Sequence, residues 1–341
     1  MKKVKVEEAI GQVLCHDITK IVPGEFKGAA FKKGHIVREE DIPELLSLGK
    51  EHLFIWEIKE GYLHEDQAAE RIARASGGEG ISFSRPAEGK INFRATYRGL
   101  LKVNVQTLFQ INSISQVVLA TKHNNRVVEE GEIVAGTRVI PIVIDDQSIE
   151  QVEQICHDAG PVVEVKPFFS KKVGIITTGN EVYRGRIQDR FGPVVINKLE
   201  PFGATLIGQE IAPDDPETIA NSVKKYLAKG AEMILVTGGM SVDPDDVTPL
   251  GIKLAGAQIV AYGAPVLPGS MFMMAYLGEV PVMGLPGCVM YARTTIFDLV
   301  LPRVLAGEFI CQNDLIGLGH GGLCQECAQC QYPTCAFGKG F

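Results

Sequence analysis

The sequence lacks any long uninterrupted run of apolar residues. Its most apolar stretch, VPVMGLPGCVMYARTTIFDLVLPRVL, is interrupted by Pro281, Pro286, Arg293 and Asp298, whereas a bilayer-spanning helix needs about 20 consecutive apolar residues. The opening MKKVKVEEAIGQVL carries lysines without an apolar segment behind them, so it does not have the form of a signal peptide. These absences predict a cytoplasmic protein with no membrane partner.

An excess of positive charge is also missing. With 34 Lys and Arg against 41 Asp and Glu the net charge is −7, which argues against a nucleic-acid-binding protein, because such a protein needs a basic face to neutralise phosphates. A small anionic ligand is not excluded, because backbone N–H groups at a helix N-terminus can hold an anion without net positive charge.

Changes of pattern along the 341 residues predict four regions. Residues 1–80 mix short strands and helices. Residues 81–165 form a β-rich α+β region, in which VNVQTLFQINSI continues the strands. Strands and helices then alternate regularly over residues 171–307, which predicts a three-layer α/β/α domain with a mostly parallel sheet. Residues 308–341 are a cysteine-rich tail.

Ligands of such sheets bind outside the C-terminal ends of the strands, where the sequence places TTGNE, VTGGMSVDPDD and GLPG. In TTGNE, Gly179 permits a sharp turn with positive φ. Thr178 and Asn180 offer hydrogen-bonding groups there, and Glu181 would point a carboxylate into the crevice. Taken alone, this segment is equally typical of an ordinary strand-to-helix turn.

VTGGMSVDPDD is the most specific of these segments. Gly238 and Gly239 form a loop whose N–H groups can cradle an anion, and Ser241 adds a hydroxyl. Asp243, Asp245 and Asp246 crowd three carboxylates into four residues, so they either face water in a solvated acidic loop or share a cation. Magnesium, which binds one or two carboxylates plus substrate phosphates, fits the second alternative.

Two further turns precede predicted helices. Asp214 and Asp215 stand before a helix whose first turn holds Pro216, and either aspartate alone fits a simple N-cap. GLPG ends at Gly287, directly before CVMYARTTIFDLVLPRVLAG, which the sequence predicts to be one long helix. The N-terminus of that helix would suit a phosphate.

In this order, the segments resemble the molybdopterin-binding domain shared by molybdopterin molybdenumtransferase, gephyrin and the molybdopterin adenylyltransferases. The matching text is TTGNEV, Asn197 in VINKLEPFGA, DDP before a helix, GGMSVDPDDVT, and GLPG before a helix ending in LAG. Residues 4–58 more weakly resemble the opening of the molybdenumtransferase. The resemblance implies magnesium use, a homo-oligomer, and insertion of molybdate into adenylated molybdopterin with release of AMP.

The resemblance also assigns roles to individual residues. It makes Glu181, Asp214 and Asp246 the catalytic, magnesium-binding acids of the domain. The residues predicted to bind the pterin cofactor are Thr178, Gly179, Asn180, Asn197, Gly238, Gly239, Ser241, Asp243, Pro286 and Gly287.

Several departures from the family pattern favour an alternative function. The early Pro- and Ser-rich segment ending in a Met-Asp-Gly-Tyr-like motif has no counterpart, Ser270 stands in place of lysine, and Cys288 stands in place of asparagine. A short cysteine tail stands where the family has a β-domain. The alternative is a non-catalytic carrier or sensor of molybdopterin; a pyrophosphate-cleaving relative of the competence-damage type is a third hypothesis.

The tail concentrates thiols in a pattern typical of metal sites. Cys324, Cys327, Cys330 and Cys335 are spaced x2, x2 and x4, and compact sets of thiolates bind zinc or an iron–sulfur cluster. The spacing leaves both metals open, as well as a disordered, reduced tail. His320 is predicted to be a loop residue rather than a ligand.

Overall fold

The computed structural model describes residues 2–22, 25–55, 60–241, 243–244 and 246–340. Asp245 and the end of the predicted HLFIWEI strand therefore lie outside the described residues. The chain divides into two compact units. The first comprises residues 1–96, 103–122 and 130–165, and the second comprises residues 97–102, 123–129 and 166–341. The four-part division stays a prediction.

The strands and α-helices are numbered in chain order. The strands are β1 (Lys2–Lys5), β2 (Ile18–Val22), β3 (Phe26–Phe31), β4 (His52–Ile55), β5 (Tyr62–His64), β6 (Ile81–Phe83), β7 (Lys90–Ala95), β8 (Gly99–Val103), β9 (Val117–Thr121), β10 (Arg126–Val128), β11 (Ile133–Val139), β12 (Val143–Asp145), β13 (Val163–Pro167), β14 (Lys172–Thr178), β15 (Thr205–Ala212), β16 (Met233–Thr237), β17 (Gln258–Tyr262), β18 (Met273–Leu277) and β19 (Val280–Leu285). The helices are α1 (Ile42–Ser47), α2 (Glu65–Ser76), α3 (Val105–Asn112), α4 (Asp146–Ala159), α5 (Asn180–Tyr183), α6 (Phe191–Leu199), α7 (Pro216–Ala228), α8 (Thr248–Leu254), α9 (Ile296–Leu305) and α10 (Gln312–Gly317).

The first unit contains an antiparallel sheet in the order β6-β7-β11-β9. Helix α2 packs on strands β7 and β11 and against α4. Its apolar residues recur with helical spacing, so Ala68, Ala69, Ile72 and Ala73 are all buried on one face. Short antiparallel pairs β1–β4, β2–β3 and β5–β12 complete this unit.

The second unit is built on a six-stranded sheet in the order β15-β14-β16-β19-β18-β17. The first four of these strands are parallel to one another. Strand β18 pairs antiparallel with β19, and β17 pairs antiparallel with β18. This arrangement confirms the predicted α/β class with a mostly parallel sheet. Among the described residues, no helix is long and apolar enough to cross a bilayer.

Both faces of this sheet are covered, because successive side chains of a strand point to opposite sides. In β16, Met233 and Leu235 join a core with α6 and α9, whereas Ile234 and Val236 join a second core with α7 and α8. A strand buried on both faces reads as a continuous apolar run, as MILVT does. The result is the three-layer architecture that the sequence predicts.

Two predicted elements are wrong. The stretch predicted to continue the strands of residues 81–165 is instead helix α3, whose N-cap Asn104 accepts a hydrogen bond from the Thr107 N–H. The long helix predicted after GLPG is broken. A 3-10 turn spans Gly287–Met290, and α9 begins only at Ile296, where Thr295 and Asp298 form a capping box.

A buried ion-pair network joins α9 to the chain that follows it. Arg303, only 7% exposed, donates to Glu308 at 2.7 Å and to Asp314 at 2.6 Å. Glu308 also pairs with Lys102 at 2.5 Å. Burial acts to raise the pKa of Glu308, but its bonds from Lys102 and Arg303 outweigh burial and hold that pKa below its ordinary value.

We predict that Arg303→Met destabilises the second unit by about 3 kcal/mol, because the half-buried Asp314 then loses its cation and Glu308 keeps only Lys102. Urea unfolding measures the loss. The matched control is Lys225→Met, which breaks the exposed pair with Glu210 and should cost at most ~1 kcal/mol. Equal losses for the two variants would contradict the prediction.

Candidate functional site

The C-terminal ends of four strands meet at one edge of the six-stranded sheet. Thr177 pairs with Thr237, Thr237 pairs with Leu285, and Thr178 pairs with Ala212. The loops that leave these strands therefore begin side by side. This register brings together the segments TTGNE, APDDPE, VTGGMSVDPDD and GLPG, which lie far apart in the sequence.

The turn after β16 approaches its neighbours too closely for any side chain. Gly238 and Gly239 have φ of +86° and +55°. A Cβ on Gly238 would overlap the Thr178 carbonyl oxygen and lie 2.9 Å from the Thr178 hydroxyl, and a Cβ on Gly239 would lie 2.7 Å from the Thr248 hydroxyl. The hydroxyls of Thr178 and Thr248 are themselves hydrogen-bonded at 3.1 Å. Both positions thus require glycine.

A cavity of about 870 Å³ opens above these strand ends. Residues from all four loops line it, and they include all three predicted catalytic acids. The predicted site residues in its wall are Thr178, Gly179, Glu181, Asp214, Gly238, Gly239, Ser241, Asp243 and Asp246.

Two of the acids also hold the loops in place. Asp214 accepts a hydrogen bond from the Asn180 backbone N–H at 2.7 Å, and Asp246 accepts one from the Ser241 N–H at 2.9 Å. Each carboxylate has two oxygens with several acceptor sites, so holding a loop leaves capacity for a further donor or cation. Carboxylate oxygens are the ligands that magnesium prefers. Within the described residues, no three His, Cys, Asp or Glu side chains are already gathered as for one metal ion.

The remaining predicted residues do not line the cavity. Asn197 is exposed on α6, Pro286 is buried, and Gly287 is exposed in the 3-10 turn. Asn180 contributes through its backbone N–H, as described above. Because α9 begins at Ile296, Gly287 does not stand at the N-terminus of a long helix, and the phosphate site predicted there loses its basis. That turn contributes Met290 to the cavity instead.

The segment before α6 and the first residue of that helix, residues 187–191, also line the wall and were not predicted from the sequence. Asp189 accepts hydrogen bonds from the backbone N–H groups of Phe191 and Gly192, at 2.8 and 3.1 Å, and Gln209 donates to it. Arg190 is the one cationic side chain among the described residues of the wall. An aspartate just before a helix is typical of a helix N-terminus, so Asp189 in DRFG could have indicated the start of α6.

The four tail cysteines lie in the same unit and line a second cavity, of about 450 Å³. Cys330 lies 3.5 Å from the Thr294 hydroxyl. That hydrogen bond, and a weaker one from the Tyr332 backbone, lower the pKa of the Cys330 thiol. His320 is not part of this wall. Burial raises the pKa of Cys15 and Cys156 to about 11, which is typical of inert structural thiols.

Comparisons with known proteins support the predicted resemblance. Residues 174–306 match a family model described as a probable molybdopterin binding domain, and residues 3–57 match a domain of unknown function. The chain is 27% identical over 160 residues to a molybdopterin molybdenumtransferase from Synechococcus elongatus, covering 44% of this chain and 39% of that protein. The resemblance of the second unit to the molybdopterin-binding domain is thereby confirmed.

Other relatives cover shorter parts. A CinA-like protein from Mycobacterium sp. strain JLS is 38% identical over 92 residues, which is 27% of this chain and 22% of that protein. The chain therefore spans well under two thirds of these curated relatives. Among solved structures, MoaB of Thermus thermophilus aligns with 40% of this chain and 98% of its own at 22% identity and a TM-score of 0.34. MoeA of Pyrococcus horikosii aligns with 72% of this chain and 79% of its own, at 18% identity and a TM-score of 0.34.

We predict that Gly238→Ala destabilises the second unit more than Gly230→Ala does. Both glycines have positive φ, but nothing lies within 4 Å of a Cβ on Gly230. Both variants should lose about 1–2 kcal/mol from backbone strain, and Gly238→Ala should lose about 1–3 kcal/mol more from overpacking against Thr178. Chemical denaturation of the two variants measures the difference, and indistinguishable midpoints would refute the close contact.

Proposed function

We propose that the second unit binds molybdopterin in the acidic cavity, and that the chain inserts molybdate into adenylated molybdopterin with release of AMP. The observation that carries this proposal is the convergence of nine predicted residues, from loops far apart in sequence, on one cavity. Homo-oligomerisation and a cytoplasmic location stay predictions.

The anionic end of such a ligand has suitable partners in the wall. The turn at Gly238 and Gly239 presents backbone rather than side chains, which lets a phosphate approach N–H groups closely. Arg190 supplies a fixed positive charge for a phosphate oxygen. Glu181, Asp214 and Asp246 would repel the same phosphates unless a cation lay between them, which is why their grouping supports a magnesium-dependent reaction.

These residues would act mainly through electrostatic interactions with the ligand. Glu181, Asp214 and Asp246 would hold magnesium, which neutralises charge on the phosphoanhydride as it breaks. The glycine turn and Arg190 would keep the pterin phosphate in place while AMP leaves. The pterin dithiol would then bind molybdate through both sulfurs, and one molybdate oxygen would leave as water with the two thiol protons. These residues therefore bind and orient the two anions, and none of them needs to form a covalent bond.

We predict that Asp246→Asn reduces AMP release from adenylated molybdopterin by at least about a hundredfold, because a bound cation contributes several kcal/mol of charge stabilisation. The asparagine oxygen can still accept from the Ser241 N–H, so the loop should be retained. The assay contains magnesium and molybdate and follows AMP by chromatography.

The control for this assay is Asp158→Asn, which removes an exposed carboxylate of the first unit and should leave the rate unchanged. Equal rates for Asp246→Asn and the native chain would remove Asp246 from the reaction. Tight molybdopterin binding by the native chain without any AMP release would contradict the transferase proposal and leave the carrier.

We further predict that Arg190→Ala weakens molybdopterin binding about tenfold to a hundredfold, since a hydrogen bond to a charged group is worth ~1.5–3 kcal/mol. The matched control is Arg184→Ala, because Arg184 is exposed a few residues earlier and does not line the cavity. Anaerobic calorimetry measures both affinities. A similar loss in the two variants would mean that only the overall charge matters.

A further inference from the structure

The cysteine tail is folded onto the core of the second unit. The Cys324 N–H donates to the Leu267 carbonyl at 2.8 Å, and the Leu267 N–H donates to Gly322 at 2.8 Å. The Tyr332 hydroxyl donates to the Asp298 carbonyl at 3.2 Å. Cys324, Tyr332 and Cys335 pack against the apolar core that α6 and α9 share. The tail is therefore ordered, in contrast to the disordered tail that the sequence left open as an alternative.

This folding brings the four tail thiols to one cavity of about 450 Å³. The opposite wall comes from Pro268 and the segment Tyr291–Thr294. All four cysteines are reduced thiols, and Cys324, Cys330 and Cys335 are partly shielded from solvent. Thiols brought together at a half-buried cavity form a donor set for a soft metal.

The size of the cavity favours a cluster over a single ion. Zinc binds four ligands tetrahedrally at Zn–S distances of about 2.3 Å, so its sulfurs must lie roughly 3.8 Å apart. No three His, Cys, Asp or Glu side chains of the described residues are gathered closely enough to hold one ion. All four cysteines nevertheless face the same space. A cavity of about 450 Å³ has room for a cluster of several metal atoms among these thiols.

The wall also offers groups that an iron–sulfur cluster needs. Its thiolates give such a cluster negative charge, and hydrogen bonds to sulfur tune its potential. Arg293 lies in the wall, with Glu326 as the opposing charge. The Thr294 hydroxyl lies within hydrogen-bond distance of the Cys330 sulfur, and the aromatic residues Tyr332 and Phe337 also line the cavity.

We propose that Cys324, Cys327, Cys330 and Cys335 ligate an iron–sulfur cluster in this cavity. Each cysteine exchanges its S–H bond for an S–Fe bond, and the proton passes to solvent. The iron ions and the inorganic sulfide come from outside the chain. This proposal does not depend on the function proposed for the acidic cavity.

The test is to purify the full chain without oxygen and to measure iron, acid-labile sulfide, zinc and visible absorbance. We expect a coloured protein with iron and sulfide in similar amounts, either as isolated or after anaerobic reconstitution with a mixture of ferric and ferrous iron and sulfide. Cys330→Ser should lose most of the colour and iron. Stoichiometric zinc without iron, or no metal after reconstitution, would overturn the proposal.

The matched control is Cys311→Ser, because Cys311 is exposed at the N-cap of α10 and does not line the cavity. Serine is also a favoured N-cap residue. This variant should keep the full colour and iron content. Circular dichroism checks that each variant is folded, and the metal content of the native chain is decisive whether or not Cys330→Ser folds. Equal iron loss in both variants would contradict the assigned ligands.

Discussion

The acidic cavity depends on one close contact, between the turn at Gly238 and the carbonyl of Thr178 on the neighbouring strand. Any side chain on Gly238 would overlap that carbonyl. With glycine there, β14 and β16 can end at the same level, and the loops after them begin side by side. Asp214 and Asp246 then hold those loops through backbone N–H groups. The loops that carry these carboxylates therefore start side by side because the two backbones pack without side chains between them.

The second unit was predictable because its central strands are buried on both faces and its helices are amphipathic. Burial on both faces explains the continuous apolar run MILVT in β16, and burial on one face explains the apolar stripe of α7. Helix α3 was not predictable in the same way, because VNVQTLFQINSI has the β-branched residues of a strand. The Asn104 cap and the packing of α3 on β9 outweigh that local propensity. Tertiary contacts decide whether such a segment becomes a helix or a strand, and a short stretch of sequence does not contain those contacts.

The positions of the site residues in the fold explain which of them could be predicted from the sequence. Glycines and acids at strand ends were identifiable because parallel strands place their C-termini at a common edge. Asn197 was chosen for its sequence match, yet its position on α6 turns it to solvent. Arg190 was missed because it stands in an irregular loop. Its place in the wall follows from Asp189, which is held by the start of α6 and by Gln209.

The break between GLPG and α9 gives one short segment a place in both cavities. Met290 lines the acidic cavity, while Tyr291–Thr294 line the thiol cavity. The Thr295 cap fixes where α9 begins, through a 2.8 Å bond from the Thr295 N–H to Asp298. Lys198 pairs with Asp298 at 2.5 Å and donates to the Arg293 carbonyl at 3.0 Å. Because Lys198 contacts both the capping residue Asp298 and the segment before the cap, the walls of the two cavities share a support on α6.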